Sequence, residues 1–162
     1  MLVAVNKPKP SLDWMVWCET IILIGEIKLL DINEIKFYGI WDSEEEREYE
    51  FWWWYSTIDQ EVYSVEQLLE NFSFENYNSI LNSYDYIPLW KTDERRLIHD
   101  FIVNELKDKT FYSFLSDPQK NFYYYCSSND NYITRWWEEF EDNALINDAV
   151  KWCKENHIAY SL

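Results

Sequence analysis

Two histidines, three cysteines and thirty carboxylates make up the chain's reactive side chains. Nucleophilic catalysis needs a base held against the nucleophile. His99 and His157 are the only imidazoles, and His99 sits within an apolar helical run with Asp93 and Asp100 close in sequence. That placement reads as an ordinary helix histidine, and no catalytic residue is assigned. Cys153 and His157 stand four apart near a helix end and could face a soft metal together. A structural zinc site takes four ligands, however, and Cys18 and Cys126 show no paired spacing. A buried thiol beside a helix-end histidine, interacting with terminal carbonyls, is the simpler reading. Gly25 and Gly39 are the only glycines and cannot form a phosphate-cradling loop. No metal or cofactor is expected. Carboxylate pairs such as Glu138 with Asp142, or Glu44 with Glu48, have the residue types of a glycosidase acid and base beside a Trp-rich sugar cleft. Most acids fall in the run Ser43–Glu48 or on the polar face of the last helix, where solvation accounts for them. A carboxylate-dependent glycoside hydrolase is therefore an alternative, and the chain is expected not to be an enzyme.

The same carboxylates point more directly to binding. Thirty acidic residues oppose 14 basic ones, a formal net charge of −16. A nucleic-acid ligand needs a stripe of Lys and Arg for counterion release, and here the bases are scattered singly or in pairs such as Arg95-Arg96. Direct nucleic-acid binding and anionic membrane surfaces are both disfavoured. Aromatics make up 20% of the residues and ten are Trp, more than the core of a small domain consumes. AT-rich codon bias would enrich Phe and Tyr but not Trp, so some rings are expected at the surface. Carboxylates beside exposed rings suit a basic protein partner, because charge steers encounter and aromatic anchors supply short-range affinity. The expected charge sources are Glu44, Glu45, Glu46 and Glu48 in a loop and Glu138, Glu139, Glu141 and Asp142 on the last helix, with Trp52 and Trp54 as anchors. Inhibitors and immunity proteins work this way, some by imitating the phosphate rows of DNA in the groove of a nucleic-acid-binding protein. The expectation is an acidic partner-binding protein of anti-restriction, anti-CRISPR or toxin-neutralising type, with a housekeeping binding module of unknown partner as the alternative.

The elements that position these residues read as α+β. A chain of 162 residues is the size of one domain. Lys7-Pro-Lys-Pro10 disfavours helix and marks residues 1–10 as an extended arm. Residues 11–30 fit a helix followed by a strand broken at Gly25. Asp31 is placed to cap a short helix with Ile32, Ile35 and Tyr38 on one side, ended by Gly39. The aromatic run Glu50–Tyr55 and Glu61–Ser64 form a β-hairpin over about 50–64 with a five-residue turn from Ser56 to Gln60. Ser64-Val-Glu-Gln67 has capping-box form, a short helix covers about 75–82, and Thr92 is expected to cap another with Leu97, Ile98, Phe101, Ile102 and Leu106 as its apolar stripe. Asp117-Pro118 opens a segment through Cys126. The longest helix, about 131–156, repeats Ile133, Trp136, Trp137, Phe140, Ala144, Leu145, Ala149 and Trp152 at three and four. A small antiparallel sheet covered by these helices is the expected fold. An odd cysteine count fits reduced thiols in a cytoplasm, no signal-like N-terminus is visible, and apolar stretches such as Ile21–Ile24 are too short to cross a bilayer.

This order resembles that of an uncharacterised bacterial family, uncharacterised protein family one-five-eight, over roughly residues 27–160. The likeness rests on Ile27-Lys-Leu-Leu-Asp-Ile32, on the aromatic strand running into Ser56-Thr-Ile-Asp-Gln-Glu-Val62, and on Tyr86-Ile-Pro-Leu89 before Leu97-Ile-His-Asp-Phe-Ile102. It closes with Trp136-Trp-Glu-Glu-Phe140 and Ala149-Val-Lys-Trp-Cys-Lys-Glu-Asn-His-Ile158. The turn lacks the glycine usual in that family, and Asn121-Phe-Tyr-Tyr-Tyr-Cys126 replaces a basic aromatic segment. The resemblance implies an element order and a bacterial or phage origin, and no activity.

Overall fold

The computed structural model describes residues 28–40 and 49–162. The N-terminal arm, the helix-then-strand expected over 11–30 up to residue 27, and the acidic loop from Ser43 to Glu48 lie outside the described residues.

The chain enters through a two-residue strand β1 (Leu30–Asp31) that pairs in parallel with the final strand β5 (Tyr160–Ser161). Asp31 then caps helix α1 (Ile32–Ile35), its carboxylate accepting from the Asn33 N–H at 2.9 Å. A 3-10 turn over Lys36–Gly39 continues it and brings Ile32 and Ile35 into the core. Gly39 ends this turn, though not through a left-handed backbone, since no glycine among the described residues has positive φ. The Trp90 indole lies where a Cβ would project, so space excludes any side chain there.

The hairpin forms as expected, with β2 (Trp53–Ser56) antiparallel to β3 (Val62–Ser64) across a five-residue connection from Thr57 to Glu61. Gln60 takes a φ of 62° to close it, a conformation that costs a side-chain-bearing residue more than glycine. The Ser64 capping box is present and starts helix α2 (Val65–Asn71). Helix α3 (Tyr77–Leu81) follows, capped by Asn76. Tyr86–Pro88 then adds a third strand, β4, antiparallel to β2, giving the order β3-β2-β4. Only a chain break was expected at Pro88. Proline lacks an N–H but is tolerated on an edge strand, and β4 is an edge.

Helix α4 (Glu94–Asp100) is capped by Asp93, whose carboxylate accepts from the Arg96 N–H at 3.1 Å. Thr92, the expected cap, instead donates its hydroxyl to Asp148 at 2.9 Å and ties this corner to the last helix. From Phe101 to Leu106 the helix widens to a π-helix, stopped by Lys107 in the left-handed region. A 3-10 segment (Lys109–Ser116) leads to helix α5 (Pro118–Ser128), which opens on Pro118 as expected. Asn131 caps helix α6 (Tyr132–Glu155), accepting from the N–H groups of Ile133 and Thr134.

Three apolar clusters hold these elements. The first joins Leu30, Ile32, Ile35, Tyr55 and Leu89 to Ala149, Trp152 and Cys153 at the C-terminal half of α6. The second joins Ile98, Phe101, Ile102 and Phe122 to Ile133 and Trp137 at its N-terminal half. The third lies under the sheet, where Trp54 and Tyr86 meet Val65, Leu68 and Ile80. Helix α6 thus spans two of the clusters. Burying a side chain as large as Trp137, 2% exposed, contributes about 3 kcal/mol. The fold is α+β, with a small antiparallel sheet and a long C-terminal helix.

Candidate functional site: an acidic aromatic groove

Successive residues of an α-helix turn by about 100°, so the four acids expected to act together on α6 diverge. Glu138 and Glu139 are exposed. Glu141 is half-buried, and its carboxylate accepts the Tyr123 hydroxyl at 2.7 Å. Asp142 pairs with the Lys36 ammonium, whose side chain is largely covered. Two of the four carboxylates therefore serve internal partners. Glu44, Glu45, Glu46 and Glu48 lie outside the described residues.

The two expected anchors are no freer. Trp54 is 1% exposed in the core and donates its indole N–H to the Phe51 carbonyl at 3.1 Å, so it offers nothing to a partner. Trp52 is half-buried against Tyr49. Most described Trp side chains build the three clusters through edge-on and tilted ring contacts, including those of Trp137 with Phe101 and Phe122. Some rings do reach the surface, as expected, but they are Phe37, Tyr84, Tyr112, Tyr124 and Tyr132 more than Trp: of the described Trp side chains only Trp136 is exposed, by 37%.

Trp136 lines a groove of about 360 Å³ between α6 and the π-helical segment. Its ring meets Phe101 edge-on at 5.4 Å, so packing fixes one edge. Glu139, Phe140 and Asn143 continue the wall along α6, with Ala144 and Asn147 beyond, and Glu105 closes it from the opposite side. Glu105 lies in the π-helical segment four residues after the buried Phe101 and is itself exposed. The Lys107 N–H donates to the Ile102 carbonyl at 3.1 Å, the five-residue spacing of that turn. π-turns are rare and recur at functional sites. Among the described residues, the Glu105 and Glu139 carboxylates have no ion-pair or hydrogen-bond partner. The groove holds two unneutralised carboxylates beside an indole, and its lining carries no thiol, hydroxyl or imidazole. Carboxylates beside an indole are groups that can receive a cation.

A second carboxylate pair lies inside the helical half. Glu94, 8% exposed, accepts from the Gln119 amide at 2.8 Å and stands 3.3 Å from the Tyr123 hydroxyl that also meets Glu141. Burial first, then the charges of Glu94, Glu138 and Asp142, pushes the Glu141 carboxyl above the usual range against the Tyr123 hydrogen bond. Burial, with the two carboxylates, drives the Tyr123 hydroxyl well above an ordinary phenol. Neither glutamate lines the groove.

The remaining candidates fall apart on placement. His99 is exposed, with Nδ1 3.4 Å from Asp100. His157 follows the end of α6 in the left-handed region, φ 58°, and the Ile158 N–H returns to the Cys153 carbonyl at 2.9 Å. Cys153 is buried, which pushes its thiol up to about 11. No group of three or more His, Cys, Asp or Glu among the described residues is placed to hold a metal, and no described helix is long and apolar enough to cross a membrane.

Of the groove's key residues, sequence reasoning had Glu139 as a charge source and Trp136 as part of the packing stripe; it passed over Glu105. The available signal was an acid four residues beyond Phe101 inside an apolar repeat. Comparison with protein-family models, curated proteins and solved structures finds no match. No family is identified for the chain, and its functional reading rests on its own residues.

Proposed function

We propose that the protein is a non-enzymatic acidic binding protein that engages a basic protein surface, in the manner of an inhibitor or immunity protein of bacterial or phage origin. The observation that carries this reading is the groove, whose lining joins the exposed Trp136 to the unpaired carboxylates of Glu105 and Glu139 on a chain of net charge −16. Charge of that size accelerates encounter with a basic partner, and an indole held by packing on one edge is a pre-ordered anchor. Nucleic-acid-binding proteins, restriction and CRISPR effectors and toxin nucleases carry such surfaces. The engagement of Glu141 and Asp142 inside the fold favours a local anchor site over a continuous phosphate-like row along α6. A housekeeping partner would be met through the same chemistry. The glycosidase reading has less support because Asp142, one acid of the Glu138 and Asp142 pair it invoked, is paired with Lys36; its other pair, Glu44 with Glu48, lies outside the described residues. The proposal sets the protein in a cytoplasm, where thiols such as those of Cys126 and Cys153 stay reduced.

Capture from a bacterial lysate at about 50 mM and about 500 mM salt, with mass-spectrometric identification, tests this reading. One predominant basic protein, recovered at low salt and reduced at high salt, is the expected result. Recovery only of acidic or neutral proteins, or recovery indifferent to salt, would contradict it.

A further inference from the structure

We propose that the groove between the π-helical segment and α6 is a receptor for an arginine side chain of the partner, with the guanidinium lying on the Trp136 indole between Glu105 and Glu139. The inference rests on the partner-binding reading and deepens it by naming the group that is bound.

Three features select arginine. A guanidinium is planar and weakly hydrated, so it stacks on an aromatic face while donating to carboxylates in its own plane, whereas an ammonium is a compact and strongly hydrated point charge. Trp136 offers a partly exposed ring that an edge-on contact with Phe101 holds in place, and the two carboxylates at the walls have no partner of their own among the described residues. Asn143 adds an oriented acceptor. Its amide N–H is committed to the Glu139 carbonyl at 2.8 Å, which leaves its side-chain oxygen to receive a further donor. The site therefore supplies acceptors and an aromatic surface and no competing cation, which matches a group with five N–H donors and no acceptor. A second copy of the chain is a poor occupant, because two molecules of net charge −16 repel each other.

The test titrates the full-length protein at low salt with a six-residue oligo-arginine peptide and with its oligo-lysine counterpart, using peptide anisotropy. Wild type, Trp136→Leu, the groove pair Glu105→Gln with Glu139→Gln, and a control pair Glu66→Gln with Glu70→Gln on α2 are compared. Each double variant removes the same charge, and all four residues are exposed. Thermal melts confirm that each variant is folded. The expected result is arginine binding about fivefold or more tighter than lysine. Trp136→Leu and the groove pair should each weaken the arginine peptide about tenfold, against less than about twofold for the control pair. Equal loss in the groove and control pairs, equal affinity for the two peptides, or full binding by Trp136→Leu would overturn the groove as the receptor while the acidic-surface reading stands. A wild-type protein that binds neither peptide would overturn both.

Discussion

A phenolic hydroxyl carries one hydrogen, and Tyr123 stands with it between two carboxylates, closer to Glu141 than to Glu94. Replacing Tyr123 by Phe leaves Glu141 half-buried without that donor, and the variant should lose about 1–3 kcal/mol of stability in urea unfolding. Glu141 adds a pH dependence whose sign follows from its raised pKa. The folded state holds the proton more tightly than the unfolded chain. The contribution is therefore fully present below the ordinary carboxylate range and is lost as pH rises through the raised value. Glu141→Gln is neutral throughout, so it should gain stability relative to wild type at about pH 7, and the difference should shrink toward about pH 5. A difference constant across that range would show that Glu141 is as well solvated folded as unfolded. Glu141 was expected as a charge source on the polar face, although the spacing held the contrary signal. Glu141 lies four residues after Trp137 and four before Leu145, both buried, so the periodicity alone puts an acid on the packed face. The periodicity could not say which groups receive it, since Tyr123 and Glu94 come from other helices.

At the scale of elements, local signals were reliable and distant pairings were not. The last helix was expected over 131–156 and runs from Tyr132 to Glu155, because a long apolar repeat fixes it; that Asn131 caps it rather than opening it came from the structure. Asn131→Ala should lower stability by about 1 kcal/mol, read as a drop in melting temperature, since the cap serves two N–H groups. An unchanged melting temperature would mean that the cap is dispensable beside the packing of Ile133 and Trp137. The Ser64 capping box and the five-residue hairpin loop were equally readable. Strands β1 and β5 were not, because two-residue strands carry no periodicity and these pair from opposite ends of the chain. Strand β4 was hidden by its length and by Pro88, and the π-helix by an apolar spacing that a regular helix would also satisfy.

For the whole molecule, the two compositional excesses have different fates. The aromatic surplus goes mostly into three apolar clusters in which rings pack against rings, and edge-on pairs contribute about 0.5–1.5 kcal/mol each beyond their burial. A high Trp count was thus a weaker pointer to surface anchors than it looked, since most described indoles pack beside the buried Leu and Ile side chains of these clusters. The acidic surplus is only partly absorbed: Asp142 pairs with Lys36, while Glu138 and Glu139 stay exposed. The central claim is that this remaining charge, with Trp136, draws in a basic partner. Its most direct test is the association rate with the captured partner as salt rises from about 50 to about 500 mM, where the screening length falls from over 10 Å to about 4 Å. A steep slowing is expected in wild type, and a slower, less salt-dependent rate when Glu138 and Glu139 are both reversed to Lys in a protein that remains folded. Rates insensitive to salt and unchanged by that reversal would contradict it.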